Sequence, residues 1–404
     1  MGNRNIIIIG FNSLLNGFVS GYLVWMISLI LMKINLLVFS LVYSLATLLE
    51  AILYFLGGVI SDIIGRKKIM IFGSLTKFIG LLMIYAFYHY KIIETILLCM
   101  GVLAYLSGGA ISASATYLLF MESCKKGTRG RIYSINTTLL ILSAMAGSTI
   151  LSYTASIFSL LFSLGIATFC LLCVVISRFF IIETLKKESQ IKSSGSLRIL
   201  GNVRLYLRTI REDKNMLLYT CYLLIMALSS TVVEIILPVF LQSDVGLSTV
   251  EIGMFYSILF LLGGVPMFIG GIFVDKLGAK RAMIIGFGLE AFFGLLFIFT
   301  IQTSTLLGLA FYVLQATGVW FIHPGVFALE AYLTERKKRG AIIGGWRAIA
   351  TIISSLSPVI IYVVWPISHI LPFVIAIIVD IIVIFLIAGI EYDVGKPDEE
   401  TSES

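Results

Sequence analysis

Five ionisable side chains stand out inside long apolar runs of this chain: Glu50, Lys77, Glu234, Glu290 and Asp380. A charge at the centre of a lipid-spanning helix costs about 2.5–3.5 kcal/mol on insertion scales, so such residues are paired, face a polar interior or carry protons. Glu50 and Lys77 stand at nearly the same depth in two consecutive runs. Glu50 shares a helical face with Tyr54 and Gly57, and Lys77 shares one with Gly73 and Gly80; small residues of this kind mark close helix contacts. The spacing predicts an ion pair between them. Glu290 has no basic residue at matching depth in the preceding run, which makes it a candidate proton carrier.

The elements that hold these residues must be membrane helices. Of all residues, 59% are hydrophobic and 13% charged, and the mean hydropathy is +1.04, far from ordinary water-soluble domains. A hydrocarbon core about 30 Å thick takes roughly 20 helical residues to cross. Twelve such runs are expected, at about 6–31, 36–61, 68–88, 93–121, 131–154, 157–182, 216–242, 250–273, 281–301, 304–333, 341–364 and 367–390. A spanning barrel would alternate apolar and polar residues, so strands are excluded. The predicted fold is an all-α membrane protein of twelve transmembrane helices in two pseudo-symmetric six-helix bundles. Residues 1–184 form the first bundle, 185–215 a cytoplasmic linker, 216–391 the second bundle and 392–404 a short acidic tail.

Positive charge is one-sided. The even-numbered connections hold Arg66, Lys67, Lys68, then Lys125, Lys126, Arg129, Arg131, later Lys276, Lys280, Arg281, and finally Arg336, Lys337, Lys338, Arg339; the odd ones hold only Lys33 and Lys91. Lys and Arg in short loops stay on the cytoplasmic side, so both termini are expected there, in the plasma membrane of the cell. The net charge of +7 reflects this bias and not a nucleic-acid site. The linker carries Lys186, Lys187, Lys192, Arg198, Arg204, Arg208 and Arg211, and its later part reads either as a helix lying on an anionic membrane surface or as a solvated basic loop. Five cysteines lie in or beside the apolar runs, and the Cys170/Cys173 pair has no second pair or histidine to complete a metal site. With no phosphate-binding glycine loop, ligand cluster or nucleophile beside a base, no cofactor, metal or catalytic residue is expected and the chain does not read as an enzyme.

One short pattern occurs twice: Gly58, Asp62, Gly65, Arg66, Lys67, and Gly271, Asp275, Gly278, Lys280, Arg281, at an offset of 213 residues from Asp62 to Asp275. Lys77 and Glu290 share that offset, so the repeat exchanges a cation for an anion. A second feature is Glu122 with Arg129-Gly130 at the end of the fourth run, echoed after the tenth by Glu330 with Arg339-Gly340, two residues more widely spaced. With these loops, the central linker and twelve spans, the whole chain resembles the major facilitator superfamily of secondary transporters. The resemblance implies that the loops latch the inner gate, Asp62 meeting the start of the eleventh span near Gly344 and Gly345 and Asp275 meeting the fifth span.

In that superfamily spans 1, 4, 7 and 10 line the cavity, and each carries a polar stripe here. Span 1 has Asn12, Asn16 and Ser20; span 4 has Tyr105, Ser112 and Thr116; span 7 has Ser230, Thr231 and Glu234 before Pro238; span 10 has Tyr312, Trp320, His323 and Glu330 beside Pro324. This is the expected substrate path, with Glu234 and His323 as the residues to couple transport to protons alongside Glu290. Those faces carry no Arg or Lys, which suits a neutral polar or cationic solute, sugar-like in character. An Arg that many proton-coupled members carry in span 4 is absent, which counts against proton coupling; span 5 lacks the Gly-Pro pair of many exporters, which weighs towards symport or uniport. The implied function is uptake of a small organic solute by alternating access, by a monomer embedded in lipid. Efflux of apolar or cationic drugs is the alternative, favoured by 12% aromatic content. A non-transporting membrane sensor is the alternative of another class.

Overall fold

Two side chains show how the helices are punctuated. Asn35 is extended, and its Oδ1 accepts the Val38 N–H at 2.7 Å; Ser159 Oγ accepts the Phe162 N–H at 3.1 Å. Each satisfies an otherwise orphaned donor in a first turn. The computed structural model describes residues 2–90, 95–124, 129–184, 213–264, 267–334 and 339–391. The expected linker helix, the basic residues Lys125, Lys126, Arg336, Lys337 and Lys338, and the acidic tail lie outside the described residues.

In chain order the helices are α1 (Gly2–Met32), α2 (Leu36–Ile64), α3 (Arg66–Tyr90), α4 (Thr95–Ser123), α5 (Arg129–Ile157), α6 (Leu160–Phe179), α7 (Lys214–Ser243), α8 (Thr249–Gly264), α9 (Met267–Leu277), α10 (Ala279–Thr300), α11 (Thr305–Gln315), a 3-10 turn (Ala316–Gly318), α12 (Val319–Leu333), α13 (Arg339–Ser354), α14 (Ser357–Val364) and α15 (Leu371–Ala388). No strand occurs among the described residues. Among the described residues eleven stretches are long and apolar enough to span a bilayer, and Thr249–Leu262 is a shorter apolar helix. The expected span 250–273 corresponds to α8 and α9 together, so the twelve-span reading agrees with the structure.

Two further expected spans are interrupted, each within a few residues of a proline. Span 10 divides into α11, the 3-10 turn and α12, which contains Pro324; span 11 divides into α13 and α14, with Pro358 in the first turn of α14. Pro324 has no N–H for the Trp320 carbonyl, and that carbonyl faces Gly270 so closely that a Cβ on Gly270 would collide with it.

By contacts the chain forms two compact units, one of residues 1–200, 227–265 and 347–373, the other of residues 201–226, 266–346 and 374–404. Their boundaries are not those of the sequence repeat. In the first unit, stretches of the C-terminal half pack on N-terminal helices, α5 against α8 and α2 against α14. The α5–α8 seam is polar: Ser148 Oγ donates to Gly253 O at 2.9 Å, Thr149 Oγ1 and Ser257 Oγ lie 2.6 Å apart, and Trp25 Nε1 donates to Ser148 Oγ at 3.0 Å. Sequence spacing had no signal for this joint, because it joins opposite halves of the chain.

The most extensive seam in this unit joins α3 to α4. A Cβ on Gly108 would collide with the Lys77 backbone, and one on Gly73 or Gly80 with the backbone of Ser112 or Tyr105. The second unit has a similar seam at the repeat position, where Gly286 meets the Gly318 carbonyl and Gly318 meets the Glu290 side chain. Lys77 and Glu290 thus occupy equivalent places in their own units.

Candidate functional site

The α3–α4 seam fixes where Lys77 points. With its backbone pressed on Gly108, its side chain reaches α1, where the ammonium donates to Asn16 Oδ1 at 3.2 Å and Ser20 Oγ at 3.5 Å and lies 4.9 Å from the Tyr105 ring centroid. Asn16 Nδ2 donates to Asn12 O at 2.9 Å, and Asn12 Oδ1 accepts the Ser177 hydroxyl at 2.5 Å. Asn12, Asn16 and Ser20 therefore form one bonded polar stripe on α1.

Two cavities of about 420 Å³ each meet at this stripe, sharing Ser20, Lys77 and Gly109 as a common wall. The first also takes Asn12, Asn16, Ser112, Thr116, Asn136 and Arg178. Ser112 and Thr116 give their hydroxyl protons to Gly109 O (3.1 Å) and Ser112 O (2.6 Å), leaving oxygen lone pairs towards the space. The second takes Tyr43, Thr47, Glu50, Tyr105, Thr231 and Glu234. Pro238 in α7 leaves the Glu234 carbonyl without its helical N–H, loosening the backbone at the acid.

Most of the expected path residues on α1 and α4 are thus brought together: Asn12, Asn16, Ser112 and Thr116 in one cavity, Tyr105 in the other with Thr231 and Glu234 of α7. Ser230, Tyr312, Trp320 and His323 line neither cavity; Tyr312 packs edge-on against Phe297, with ring centroids 5.1 Å apart. Glu290 sits against Gly318, and its electrostatic neighbour is the carboxyl of Asp380. Glu330, buried, accepts the Tyr219 hydroxyl at 3.1 Å.

Two expectations need correction. The Glu50–Lys77 ion pair is not closed: both line the second cavity, but the ammonium spends its contacts on Asn16, Ser20 and Tyr105. Equal depth was the basis for pairing them, yet α2 packs chiefly on α4 and much less on α3, so the two charges act on each other from the walls of one cavity without closing a bridge. The absence of Arg and Lys from the cavity also fails. Lys77 enters from α3 and Arg178 from α6, two helices outside the four expected to line the path. Arg178 carried one sequence signal, its helical register with Leu171 and Val174 on the buried face of α6.

The repeated loops close around helix ends. Gly65 ends α2 at φ 111 and Gly278 opens α10 at φ 81, the left-handed region that glycine adopts without strain. Lys67 Nζ donates to Phe179 O at the end of α6, and Lys280 Nζ to Ile390 O just past α15, each at 2.7 Å. Each cation sits on the carbonyl-rich end of the last helix of its half. Arg66 is salt-bridged to Glu122, which also accepts the Thr184 hydroxyl at 2.7 Å. Asp275 is exposed and Gly271 has open space around it, whereas the surroundings of Gly58, Asp62 and Gly344 lie outside the described residues.

Glu183, unmarked in the sequence, caps this corner by accepting the Lys67 N–H at 2.9 Å in the first turn of α3. Glu183→Ala should lower stability by about 1 kcal/mol, the usual worth of a cap, read as a fall in melting temperature of about 2–4 °C in detergent. Glu183→Gln, which keeps an acceptor, should retain most of it. An unchanged melting temperature in the alanine variant would show that the carboxylate does not cap α3.

The model described as Major Facilitator Superfamily matches residues 7–358 and 224–403. No curated protein matches the chain. Among solved structures, a mutant of the nucleoside transporter NupG superposes with a TM-score of 0.78 at 12% identity, covering 96% of this chain and 100% of its own. A POT family transporter in complex with 5-aminolevulinic acid gives 0.73 at 11% identity, covering 96% and 94%. The xylose transporter XylE from E. coli, in a partially occluded inward open conformation, gives 0.69 at 14% identity, covering 97% and 99%. At such identities these likenesses speak for the fold alone.

Proposed function

The chain belongs to the major facilitator superfamily of transporters, and from that premise we propose that it takes up a small polar metabolite, rich in hydroxyl groups as a sugar is, by alternating access. The observation that carries this reading is the convergence of the α1 and α4 polar stripes on two adjoining cavities of about 420 Å³, within the size range of small-molecule sites. The two halves of the repeat, 1–184 and 216–391, are the moving bodies, joined by the 185–215 linker. The loops around Asp62 and Asp275 are the latches. The protein works as a monomer in the plasma membrane with both termini cytoplasmic. Glu234 is the coupling residue: it lines the second cavity beside Glu50 and Lys77, where gaining or losing a proton changes the balance of charge around the solute. His323 and Glu290 are the further candidates for proton passage.

Counterflow in proteoliposomes across sugars, sugar acids, sugar phosphates, nucleosides and peptides, with and without an imposed proton gradient, tests this. The wild type should exchange at least one of these solutes and accumulate it when a gradient is imposed. Glu234→Gln should keep exchange and lose gradient-driven accumulation, which amounts to about tenfold for each pH unit imposed per coupled proton, about 1.4 kcal/mol. Accumulation indifferent to the gradient would sink proton coupling. Outward pumping of apolar cations in place of uptake would favour efflux, and tight ligand binding without any counterflow would favour the sensor.

A further inference from the structure

We infer that the cavity lined by Asn12, Asn16, Lys77, Ser112, Thr116 and Arg178 seats an oxyanion, a carboxylate or a phosphate, carried by the transported solute; the inference rests on the transport reading above. Two cations and no carboxylate line this space. Arg178 is 5% exposed, with Nη1 donating to Met70 O at 2.6 Å, which leaves Nε without a hydrogen-bond partner. Asn12 is 3% exposed; its oxygen is taken by Ser177 and its Nδ2 likewise has no partner. Buried donors left unsatisfied and buried cations left unpaired are both costly. A guanidinium nitrogen, an amide nitrogen and an ammonium around one space form a donor set for oxygen atoms bearing negative charge.

The remaining groups refine the solute. Ser112 and Thr116 present lone pairs, and Asn136 Oδ1 has no partner, so this cavity also offers acceptors. An anionic group held by the donors, on a body whose hydroxyl or N–H groups meet those acceptors, satisfies both sets. The carboxylates stay across the common wall, Glu50 and Glu234 in the second cavity. A hydroxylated organic acid or a sugar phosphate fits better than the neutral or cationic solute expected from the sequence.

The test is the melting temperature of the purified full-length protein in detergent, in acetate or in phosphate against chloride, at matched pH and ionic strength. Wild type should melt about 2 °C or more higher in at least one of the two oxyanions. Acetate and phosphate separate the carboxylate source from the phosphate source. Arg178→Gln should abolish the rise. Asn12→Asp places a carboxylate beside the donors and should abolish it too, so the test survives if the arginine variant does not fold. No rise in wild type, or an equal rise in Asn12→Asp, overturns the seat. Counterflow failing for every solute while the oxyanion rise persists would remove the transport reading and leave the seat standing. Counterflow of neutral sugars without any oxyanion rise would do the reverse.

Discussion

Gly108→Ala should destabilise this protein severely, while Gly109→Ala, one residue further along the same helix, should leave it intact or slightly more stable. A methyl on Gly108 would lie 2.6 Å from Gly73 O and 2.8 Å from the Lys77 Cα, and closer still to the Lys77 backbone nitrogen. Backbone atoms have no rotamer to yield with, so α3 and α4 must part. Overpacking of this kind costs about 1–3 kcal/mol, and the seam continues through Gly73, Gly80 and Gly101, so the displacement is shared along both helices. Gly109 has nothing within 4 Å of the same methyl, and alanine in a helix interior is favoured over glycine by about 0.5–1 kcal/mol. Paired melting curves in detergent, with uptake assayed alongside, decide the matter. Equal behaviour of the two variants would mean that the seam is not the close contact described. A larger loss of uptake than of stability at Gly108 would follow from the same geometry, since this seam aims the Lys77 ammonium.

Lys77→Gln is the second large effect expected, with solute exchange in counterflow falling by about tenfold to hundredfold. Hydrogen bonds to a charged group are worth about 1.5–3 kcal/mol, and every 1.4 kcal/mol is a factor of ten in affinity. Lys77, held in place by Asn16 and Ser20, stands in the wall common to both cavities, where its ammonium can give the solute one such bond. The exchanged double variant, Glu50→Lys with Lys77→Glu, should not restore what Lys77→Gln loses. The partners of the ammonium are an amide oxygen, a hydroxyl and a ring face, and a carboxylate in that place would meet the Asn16 oxygen and the electron-rich face of Tyr105. Rescue by the exchange would instead establish that Glu50 and Lys77 pair directly during transport. Lys77→Arg should recover part of the activity, because it keeps the charge but enlarges the head that must fit among Asn16, Ser20 and Tyr105.

The sequence by itself determined the class of this molecule, its span count and its repeat, because each is written in local terms. Apolar length is a property of consecutive residues, and the loops around Asp62 and Asp275 carry their glycines and cations at fixed short spacings. Gly65 and Gly278 take left-handed φ, and Lys67 and Lys280 anchor equivalent helix ends. The stripe of Asn12, Asn16 and Ser20 was legible for the same reason, since a helix puts every fourth residue on one face.

Only the tertiary structure decided which faces meet. Lys77 and Glu50 share a depth, but α2 lies chiefly on α4, so the ammonium found amide and hydroxyl partners on α1 instead. Arg178 drew no functional reading from the sequence, and its burial against Met70 O places it in the first cavity. The polar joint of Ser148, Thr149, Gly253 and Ser257 unites segments about a hundred residues apart. Such contacts depend on how whole helices rotate and approach, which close glycine packing settles cooperatively across a seam and no single window of sequence records.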